Sequence, residues 1–461
     1  MIGVKYSDVY AVTETFQLLK TDWEWYNSTK TYDVVIAKKS DLPNYTGNII
    51  DLTDNDVFKK IRILLNDGQE HLHEPYVEIY IDYLRSEIKK YVVLVEIPPM
   101  SWGYPYMLAL THDVDNVSVI QSPLRSVCMA ALRCFMKLDI NSGLNILLSK
   151  IGLKKDPWLL FEWWHQNEHN INVRSTFFII PPHHNGIKSH KYRESAYTFN
   201  PNTYNTLWRD GWELGVHGIN NWISPAEGSF ERGYIGDFIG NRTHWLLHDE
   251  TSWELLDKSG YKYDTTFGYD DDVGYRAGTT QVYKPYNVKS LLELPLHIQD
   301  TALFGKSCWI QHDSKFINKP CLNLSESAAR KYCEYILSNA KRFGGVVTVL
   351  WHYENVTAPR NWQNTYWHII SKAKSDGAWI TTAGNIVDWF QLRRDTNFTY
   401  AIDDKKITIR IKPQKRALLQ IIRIHIDPAK IKEVTGHIYV THNDYIDIRH
   451  YDSQKIEVIL C

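Results

Sequence analysis

Residues 108–116, LALTHDVDN, form an apolar stretch of strand length that ends in two aspartates, Asp113 and Asp115. Side chains alternate between the two faces of a strand, so these two carboxylates lie on the same side. Two neighbouring carboxylates are unfavourable unless they share a cation or a proton. The stretch therefore predicts a buried strand that presents an acidic pair, with a strand running into an aspartate-rich turn as the alternative.

Outward from this stretch, the chain repeats a short apolar strand followed by a longer helical segment. Parallel strands need long crossover connections, so this alternation predicts βα units and an α/β fold, either a barrel or a doubly wound sheet. The further strands of the pattern are STFFIIP (175–181), WELGVHG (212–218), LLELPLH (291–297), VVTVLWH (346–352) and DGAWITT (376–382).

The flanking regions differ from this central pattern. Two strand-like runs and a helical spacing of apolar residues predict an N-terminal α/β domain over residues 1–104. The proline- and glycine-containing stretch 98–105 marks the expected boundary to a central domain over 105–393. Beyond it, apolar residues alternate with a period of two, which predicts a C-terminal antiparallel β domain over 394–461.

Composition narrows the class of protein. The 461 residues carry a net charge of -1, which argues against a nucleic-acid binder, because such proteins depend on clusters of Lys and Arg. No secretory signal is visible, and no apolar run approaches the ~18 residues of a transmembrane helix. The six cysteines contain no CxxC pair, which favours reduced thiols in a cytoplasmic protein. The oligomeric state is left open.

Residues 117–156 are a candidate insertion between the first two strands of the pattern. Within it, 122–138 has apolar residues at helical spacing, interspersed with Arg125, Arg133 and Lys137. A basic amphipathic helix can lie on a membrane surface. Most such helices simply cover a core, so packing on the domain is the commoner alternative.

Histidines follow two further strands. His217 ends the strand 212–218, and His244 lies in the next segment, NRTHWLL. A single histidine at a strand end is more often structural than a ligand. Two of them together with the aspartate pair favour a metal site, because a catalytic Zn²⁺ takes three such nitrogen and oxygen ligands and keeps one open position.

Three other polar residues share the same sequence context. Arg276 lies in the glycine-flanked loop 274–278, Asp300 follows the strand 291–297, and His352 ends the strand VVTVLWH. In α/β folds, ligands and catalytic groups gather beyond the carboxyl ends of parallel strands. We therefore expect these side chains to share one site with the aspartates and histidines.

In chain order, THDVD, STFFIIP, the His217 segment, GYRAG and LWH resemble the polysaccharide deacetylases of the NodB-homology type, which are carbohydrate esterase 4-like. The branch associated with bacterial surface-polysaccharide biosynthesis is the most similar. The resemblance covers about residues 106–390. It implies an irregular (β/α) barrel of about seven strands and the metal-dependent removal of an N-acetyl group from an amino sugar.

The resemblance also implies the catalytic roles. Asp113 is the expected general base, and Arg276 would keep it ionised and oriented. His352 is the expected general acid, and Asp300 would position it. The substrate implied is an amino sugar in a polysaccharide, a lipid-linked glycan or a nucleotide-sugar precursor.

For the metal, the resemblance implies Asp115 and His217 as ligands of a divalent ion, most naturally Zn²⁺. The chain departs from the family motif His-[Ser/Thr]-x-x-His, because Asn221 stands where the second histidine is expected. A neutral amide is a poor ligand for such an ion. We predict that His244 supplies the missing nitrogen, with His248 as the weaker alternative.

Aromatic side chains near these motifs are candidates for stacking on a sugar ring, although most aromatics in any domain belong to its core. Tyr275, Trp222 and Trp351 are the predicted substrate contacts. Two other functions remain as alternatives. If neither histidine reaches the ion, the barrel is a catalytically silent carbohydrate-binding protein. The second alternative is a hydrolase of a carbon–nitrogen bond outside sugars.

Overall fold

The computed structural model describes residues 1–181, 210–219, 221, 223–234, 239–312, 315–412, 420–450 and 455–461. The N-terminal part is a parallel four-stranded sheet, in the order β2-β1-β3-β4, with three helices. The predicted N-terminal α/β unit is therefore present. Its elements are β1 (Ile2–Val4), α1 (Val9–Leu19), β2 (Glu24–Trp25), β3 (Val34–Ala37), β4 (Ile49–Asp51), α2 (Val57–Asn66), α3 (Tyr76–Ile88) and β5 (Leu94–Glu96).

The central part is built on one parallel sheet of nine strands among the described residues. Every residue of its central strand β6 is buried, as expected for a parallel strand covered on both faces. Its strands, together with the separate hairpin β13–β14, are β6 (Met107–Val114), β7 (Thr176–Ile179), β8 (Glu213–Gly218), β9 (Gly240–Thr243), β10 (Tyr263–Asp264), β11 (Leu292–Glu293), β12 (Ile298–Gln299), β13 (Ser307–His312), β14 (Lys315–Pro320), β15 (Val346–Leu350) and β16 (Trp379–Thr381).

The sheet curls into an open barrel. The strand order is β11-β10-β9-β8-β7-β6-β15-β12, with β16 beside β6, so β11 and β12 are its two ends. Laid flat, seven inter-strand steps would separate these ends by about 34 Å. Yet the chain passes from Glu293 to Ile298 in five residue steps, which reach at most about 18 Å. The ends must therefore approach each other, which confirms the predicted irregular barrel.

The strand count exceeds the expected seven because short strands add to it: β10, β11 and β12 have two residues each, and the predicted strand 291–297 contains only β11. Among the described helices, none is long and apolar enough to cross a membrane. The helices of the central part are α4 (Leu124–Met136), α5 (Ile140–Lys150), α6 (Phe161–Asn170), α7 (Pro225–Tyr234), α8 (Ser252–Lys258), α9 (Asp300–Phe304), α10 (Glu326–Phe343), α11 (Gln363–Ser375) and α12 (Ala383–Asp395).

The C-terminal part consists of two antiparallel four-stranded sheets, ordered β17-β18-β23-β20 and β21-β22-β19-β5. It matches the predicted antiparallel appendage, except that β5 comes from the N-terminal region and pairs with β19. Segments from both ends of the chain thus share one sheet. The strands are β17 (Phe398–Asp403), β18 (Lys406–Ile411), β19 (Gln420–His425), β20 (Ile431–Val434), β21 (Tyr439–Thr441), β22 (Ile446–His450) and β23 (Lys455–Leu460).

Candidate active site

Three potential metal ligands meet beyond the carboxyl ends of β6, β8 and β9. Asp115, His217 and His244 each offer one ligand atom, and these atoms all lie within 4.8 Å of one another. The Oδ1 of Asp115 is 3.2 Å from His217 Nε2 and 3.6 Å from His244 Nε2. The parallel register explains the meeting, because His217 is paired with Arg242 in β9, two residues before His244.

The cluster fits a divalent metal ion. His217 Nδ1 donates to the backbone oxygen of Arg242 at 2.9 Å, which turns Nε2 toward Asp115 in the usual manner of a metal-binding histidine. Asp115 Oδ1 is buried and accepts no hydrogen bond of good geometry. One carboxylate and two imidazoles form a donor set that Zn²⁺ takes in catalytic sites. A bound cation would satisfy this otherwise poorly paired group.

The charged groups of the cluster shift one another's pKa values. Burial raises the pKa of Asp115, but the neighbouring His217, His244 and His352 outweigh that effect and hold the pKa well below its usual range. Burial lowers the pKa of His217, but the combined effect of Asp113 and Asp115 is larger. The pKa of His217 is therefore raised above its usual value. The two carboxylates thus favour the protonated form of His217.

The alternative ligands lie elsewhere. His248 packs its ring on Trp253 and Phe267, with centroids 4.4 and 5.1 Å away, and burial lowers its pKa to about 3. The amide nitrogen of Asn221 donates to the side chain of Asn241. A Cβ at Gly218 would lie 1.9 Å from that amide, so Asn221 fills the space beside the glycine. Of the three candidates His244, His248 and Asn221, His244 is therefore the one that reaches Asp115.

Asp113 is held by an arginine that the sequence did not single out. Arg242 is fully buried, and its Nη1 lies 3.2 Å from Asp113 Oδ1. The same guanidinium donates to Thr111 Oγ1 at 2.7 Å and to the backbone oxygen of Thr265 at 3.0 Å. These contacts fix the guanidinium rigidly. The other carboxylate oxygen of Asp113 lies 3.7 Å from His217 Nε2, facing the cluster.

The role expected for Arg276 is thus filled by Arg242, which corrects the sequence-based assignment. Arg276 donates to the backbone oxygen of Gly268 at 2.9 Å and stacks over Phe267 at 4.4 Å. Its loop is bound to the N-terminal part, because the amide of Tyr275 donates to Leu72 O at 2.8 Å and that of Gln69 donates to Arg276 O at 3.1 Å. This anchorage holds Arg276 away from Asp113.

His352 and Asp300 form the pair that the sequence suggested. His352 Nδ1 donates to Asp300 Oδ1 at 2.7 Å, and its backbone amide donates to Oδ2 at 2.9 Å. Asn355 donates to the same Oδ2 at 2.7 Å. Burial alone would lower the pKa of His352, but Asp300 first, then Asp115 and Asp113, raise it to about 10. Its Nε2 lies 3.8 Å from Asp115, so a protonated imidazole faces the cluster.

These groups line one cavity of about 290 Å³. Several of the residues that line the cavity were not among the predicted site residues. One of them, Trp245, directly follows His244 in the sequence, and this proximity was the available signal. Trp245 has a φ of 56°, in a region that a non-glycine residue rarely adopts, and its ring stacks on His244. The lining residues are Asp113, Asp115, His217, His244, Trp245, Leu246, Asp270, Gln299, Thr301, Ser307, Cys308, Leu350, His352, Glu354, Asn355 and Arg360.

Two predicted substrate contacts belong to the core instead. Tyr275 and Trp351 are each 0% exposed and do not line the cavity. Tyr275 donates to the backbone oxygen of Ile336 at 3.3 Å, and Trp351 packs against Tyr366 with ring centroids 5.6 Å apart. The third, Trp222, lies outside the described residues. Core packing accounts for both corrections, since aromatic side chains contribute most where they are fully buried.

No protein-family model matches the chain, and no curated protein matches its sequence. Among solved structures, it is similar to a candidate polysaccharide deacetylase from Mycobacterium smegmatis, with 16% identity over 67% of this chain and 98% of that one and a TM-score of 0.40. Another, described as a probable polysaccharide deacetylase from Pseudomonas aeruginosa PAO1, is 12% identical over 63% and 92% of the two chains, with a TM-score of 0.39.

The Puue allantoinase is also similar, with 11% identity over 63% of this chain and 92% of that one and a TM-score of 0.38. All three TM-scores are below 0.5, so the function of this protein has to be inferred from the geometry of its site.

Proposed function

We propose that the protein is a metal-dependent hydrolase that removes an N-acetyl group from an amino sugar. A single observation supports this most strongly. The candidate ligands Asp115, His217 and His244 lie in one cavity with the Asp113 carboxylate and with a protonated His352. Amide hydrolysis needs a base to take a proton from water, an acid to give one to the leaving amine, and a means to polarise the carbonyl.

The proposed metal is a divalent ion, with Zn²⁺ first because of the imidazole and carboxylate donors. When bound, it supplies Lewis-acid polarisation of the acetyl carbonyl and lowers the pKa of water. The buried Oδ1 of Asp115, which has no well-aligned hydrogen bond, is the observation that favours a cation there.

Asp113 is the proposed general base. Arg242 contacts one of its oxygens at 3.2 Å and leaves the other oxygen directed toward His217. In that position it can accept a proton from a water molecule in the cavity. Water then adds to the acetyl carbon as its proton moves to the Asp113 carboxylate.

His352 is the proposed general acid. Its pKa of about 10 keeps it protonated at neutral pH, and the Nδ1 contact with Asp300 leaves Nε2 facing the cavity. Proton donation from Nε2 to the amide nitrogen lets the carbon–nitrogen bond break, because an amine departs readily whereas an amide anion does not. The products are acetate and a free amino sugar.

The size and the lining of the cavity indicate which class of substrate it can hold. Its volume of about 290 Å³ is at the lower end for ligand pockets, which suits one sugar residue with its acetyl group. Trp245 offers a ring face at its wall, and the ordered motifs resemble those of enzymes of surface-polysaccharide biosynthesis. We therefore propose a saccharide of that class, free or carried on a larger glycan or lipid.

Acetate release from a panel of N-acetylated sugars, with elemental analysis of bound metal, tests this function. Asp113→Asn should lower turnover by at least ~100-fold and leave metal binding intact, since a general base typically contributes 10²–10⁴-fold. Asp115→Asn should weaken metal binding itself. The opposite pattern would reverse the two roles.

The same panel separates the alternatives. Wild-type protein that binds no divalent metal after Zn²⁺ is added, and releases no acetate, would remove the proposed mechanism. Release of product only from non-sugar amides would leave the hydrolytic machinery in place and reject the saccharide substrate.

A further inference from the structure

The hairpin of α4 and α5, with its flanking loops over residues 120–159, has an unusually apolar surface. Among the described residues, 25 large hydrophobic side chains are exposed, and eleven of them lie in this stretch of forty. All eleven are Leu, Ile or Met, with no aromatic residue among them. They are Ile120, Leu124, Met129, Leu132, Met136, Leu138, Ile140, Leu144, Ile151, Leu153 and Leu159.

This exposure is not the result of a poorly packed hairpin. Val127, Ala131 and Ile146 point inward from the two helices into one shared hydrophobic cluster, which also includes Trp158. Leu132 and Met136 lie four residues apart on α4, so they share one outward face of the helix. The hairpin thus has a core of its own and a second apolar surface that no described part of the chain covers.

The same stretch is strongly basic. Residues 117–159 contain six Lys or Arg and two acidic residues, within a chain of net charge -1. Both acids are engaged internally, because Asp139 accepts from the amide of Ser142 at the start of α5 and the buried Asp156 accepts from the hydroxyl of Ser118. None of the six cations forms an ion pair with an acidic residue that the structure describes. They are Arg125, Arg133, Lys137, Lys150, Lys154 and Lys155.

The hairpin lies beside the active-site cavity. Lys137 Nζ donates to the backbone oxygen of Pro359 at 2.7 Å, and Ala358 packs against the hairpin's hydrophobic cluster. The same loop carries Glu354 and Arg360, both of which line the cavity. A surface that binds the hairpin would therefore lie close to the groups that line the cavity.

We propose that the α4–α5 hairpin docks the protein on a membrane surface that carries anionic lipids. Aliphatic side chains flanked by cations that have no acidic partner among the described residues are typical of an interfacial element. Such an element inserts its apolar side chains among the acyl chains and pairs its cations with headgroup phosphates. A second copy of the chain fits less well, because two surfaces with an excess of positive charge repel each other. Protein interfaces are also enriched in aromatic side chains, which this surface lacks.

Docking has a consequence that rests on the proposed function. With the hairpin on the lipid surface, the cavity beside it would receive a saccharide attached to a lipid anchor rather than one diffusing from solution. The substrate class is thus a lipid-linked amino sugar.

Sedimentation with vesicles tests the docking directly, without an activity assay. Full-length protein should bind vesicles of phosphatidylcholine with 30% phosphatidylglycerol at least ~10-fold more tightly than pure phosphatidylcholine, and high salt should weaken the binding. The combined variant Leu132→Gln, Met136→Gln, Ile140→Gln and Leu144→Gln should lose at least ~10-fold in affinity, because it removes the inserted apolar area.

A matched control replaces four apolar residues of similar exposure elsewhere, namely Ile402→Gln, Ile438→Gln, Tyr439→Gln and Val440→Gln. This control should bind vesicles like the wild type. Three results would overturn the proposal: no binding of wild-type protein to either vesicle, an equal loss in both variants, or a dimer in solution that the hairpin variant alone dissociates.

The outcome is independent of the proposed deacetylation. The hairpin variant should hydrolyse a soluble N-acetylated sugar at the wild-type rate, because none of its four residues lines the cavity. Vesicle binding without any acetate release would leave the docking surface and reject the proposed function. Acetate release without vesicle binding would support the proposed function and reject the docking surface.

Discussion

Two neighbouring segments of the barrel rim each carry an arginine and an aromatic residue, yet only one brings both of them to the candidate site. The strand segment, residues 240–245, brings Arg242, His244 and Trp245 to the site. The acidic loop, residues 269–276, contributes only Asp270 to the cavity lining.

The difference comes from backbone geometry and anchorage. In the strand segment, alternate residues point to one face, so Arg242 and His244 reach Asp113 and Asp115 together. The acidic loop is hydrogen-bonded to residues 69–72 of the N-terminal part. A Cβ at Gly274, whose φ is 147°, would lie 2.2 Å from Leu72 O, so the two backbones touch there. These hydrogen bonds with the N-terminal part hold Arg276 away from Asp113.

The largest effect is expected for the metal ligand of the strand segment. His244→Ala should weaken metal binding by roughly 10³-fold, because each of three ligands carries about a third of a binding free energy of ~10–16 kcal/mol. Competition with a chromophoric chelator measures this. His248→Ala is the matched control, and it should bind metal like the wild type. Equal losses in both variants would remove His244 from the site.

The two arginines should differ next in stability. Arg242→Met leaves the buried carboxylate of Asp113 without its partner and should lower the free energy of unfolding by about 3 kcal/mol. Arg276→Met keeps most of the stacking volume over Phe267 but removes the hydrogen bond to Gly268 O, so it should cost about 1.5 kcal/mol. Urea unfolding of both variants compares them. A larger loss for Arg276→Met would contradict the contrast drawn between the segments.

The two aromatic residues should then separate binding from folding. Trp245→Ala removes a ring from the cavity wall and should raise KM by up to ~10-fold, since aromatic contacts contribute about 0.5–1.5 kcal/mol. Tyr275→Phe removes only the hydrogen bond to Ile336 O and should cost about 1 kcal/mol of stability with KM unchanged. Steady-state kinetics on both variants measure KM, and urea unfolding measures the change in stability. A raised KM in Tyr275→Phe would restore it as a substrate contact.

A further prediction concerns the pH dependence of stability, at the one residue that the acidic loop contributes to the cavity lining. Burial raises the pKa of Asp270 to about 8, above the ~3.9 of an unfolded aspartate. The folded state therefore holds a proton that the unfolded state has lost, so the free energy of unfolding falls as pH rises from about 4 to about 8.

Asp270→Asn should remove this contribution to the pH dependence of the free energy of unfolding. The variant should be more stable than the wild type at pH 8.5, and the difference should shrink toward pH 4.5. Thermal unfolding across that range measures it. A wild type that gains stability relative to the variant as pH rises would contradict a raised pKa.

Local sequence patterns were sufficient for the groups that sit directly on strand ends. The alternation in 108–116 predicts both Asp113 and Asp115, and His217 and His352 close two further apolar strands. Asp300 was also found in this way, because it begins the short helix after β12. In each case the residue lies at or just beyond the end of an apolar strand, which places its side chain at the shared edge of the sheet.

The parallel strands of an open barrel, and hence a shared edge for these side chains, were determined by the sequence itself. Which arginine reaches Asp113 and which aromatic residues face the cavity were decided only by the tertiary structure. Arg242 lies within strand β9, whereas Arg276 lies in the acidic loop, which is hydrogen-bonded to residues 69–72, some 200 positions earlier in the chain. Contacts between segments so distant in sequence leave no local pattern, because they depend on how whole elements pack together.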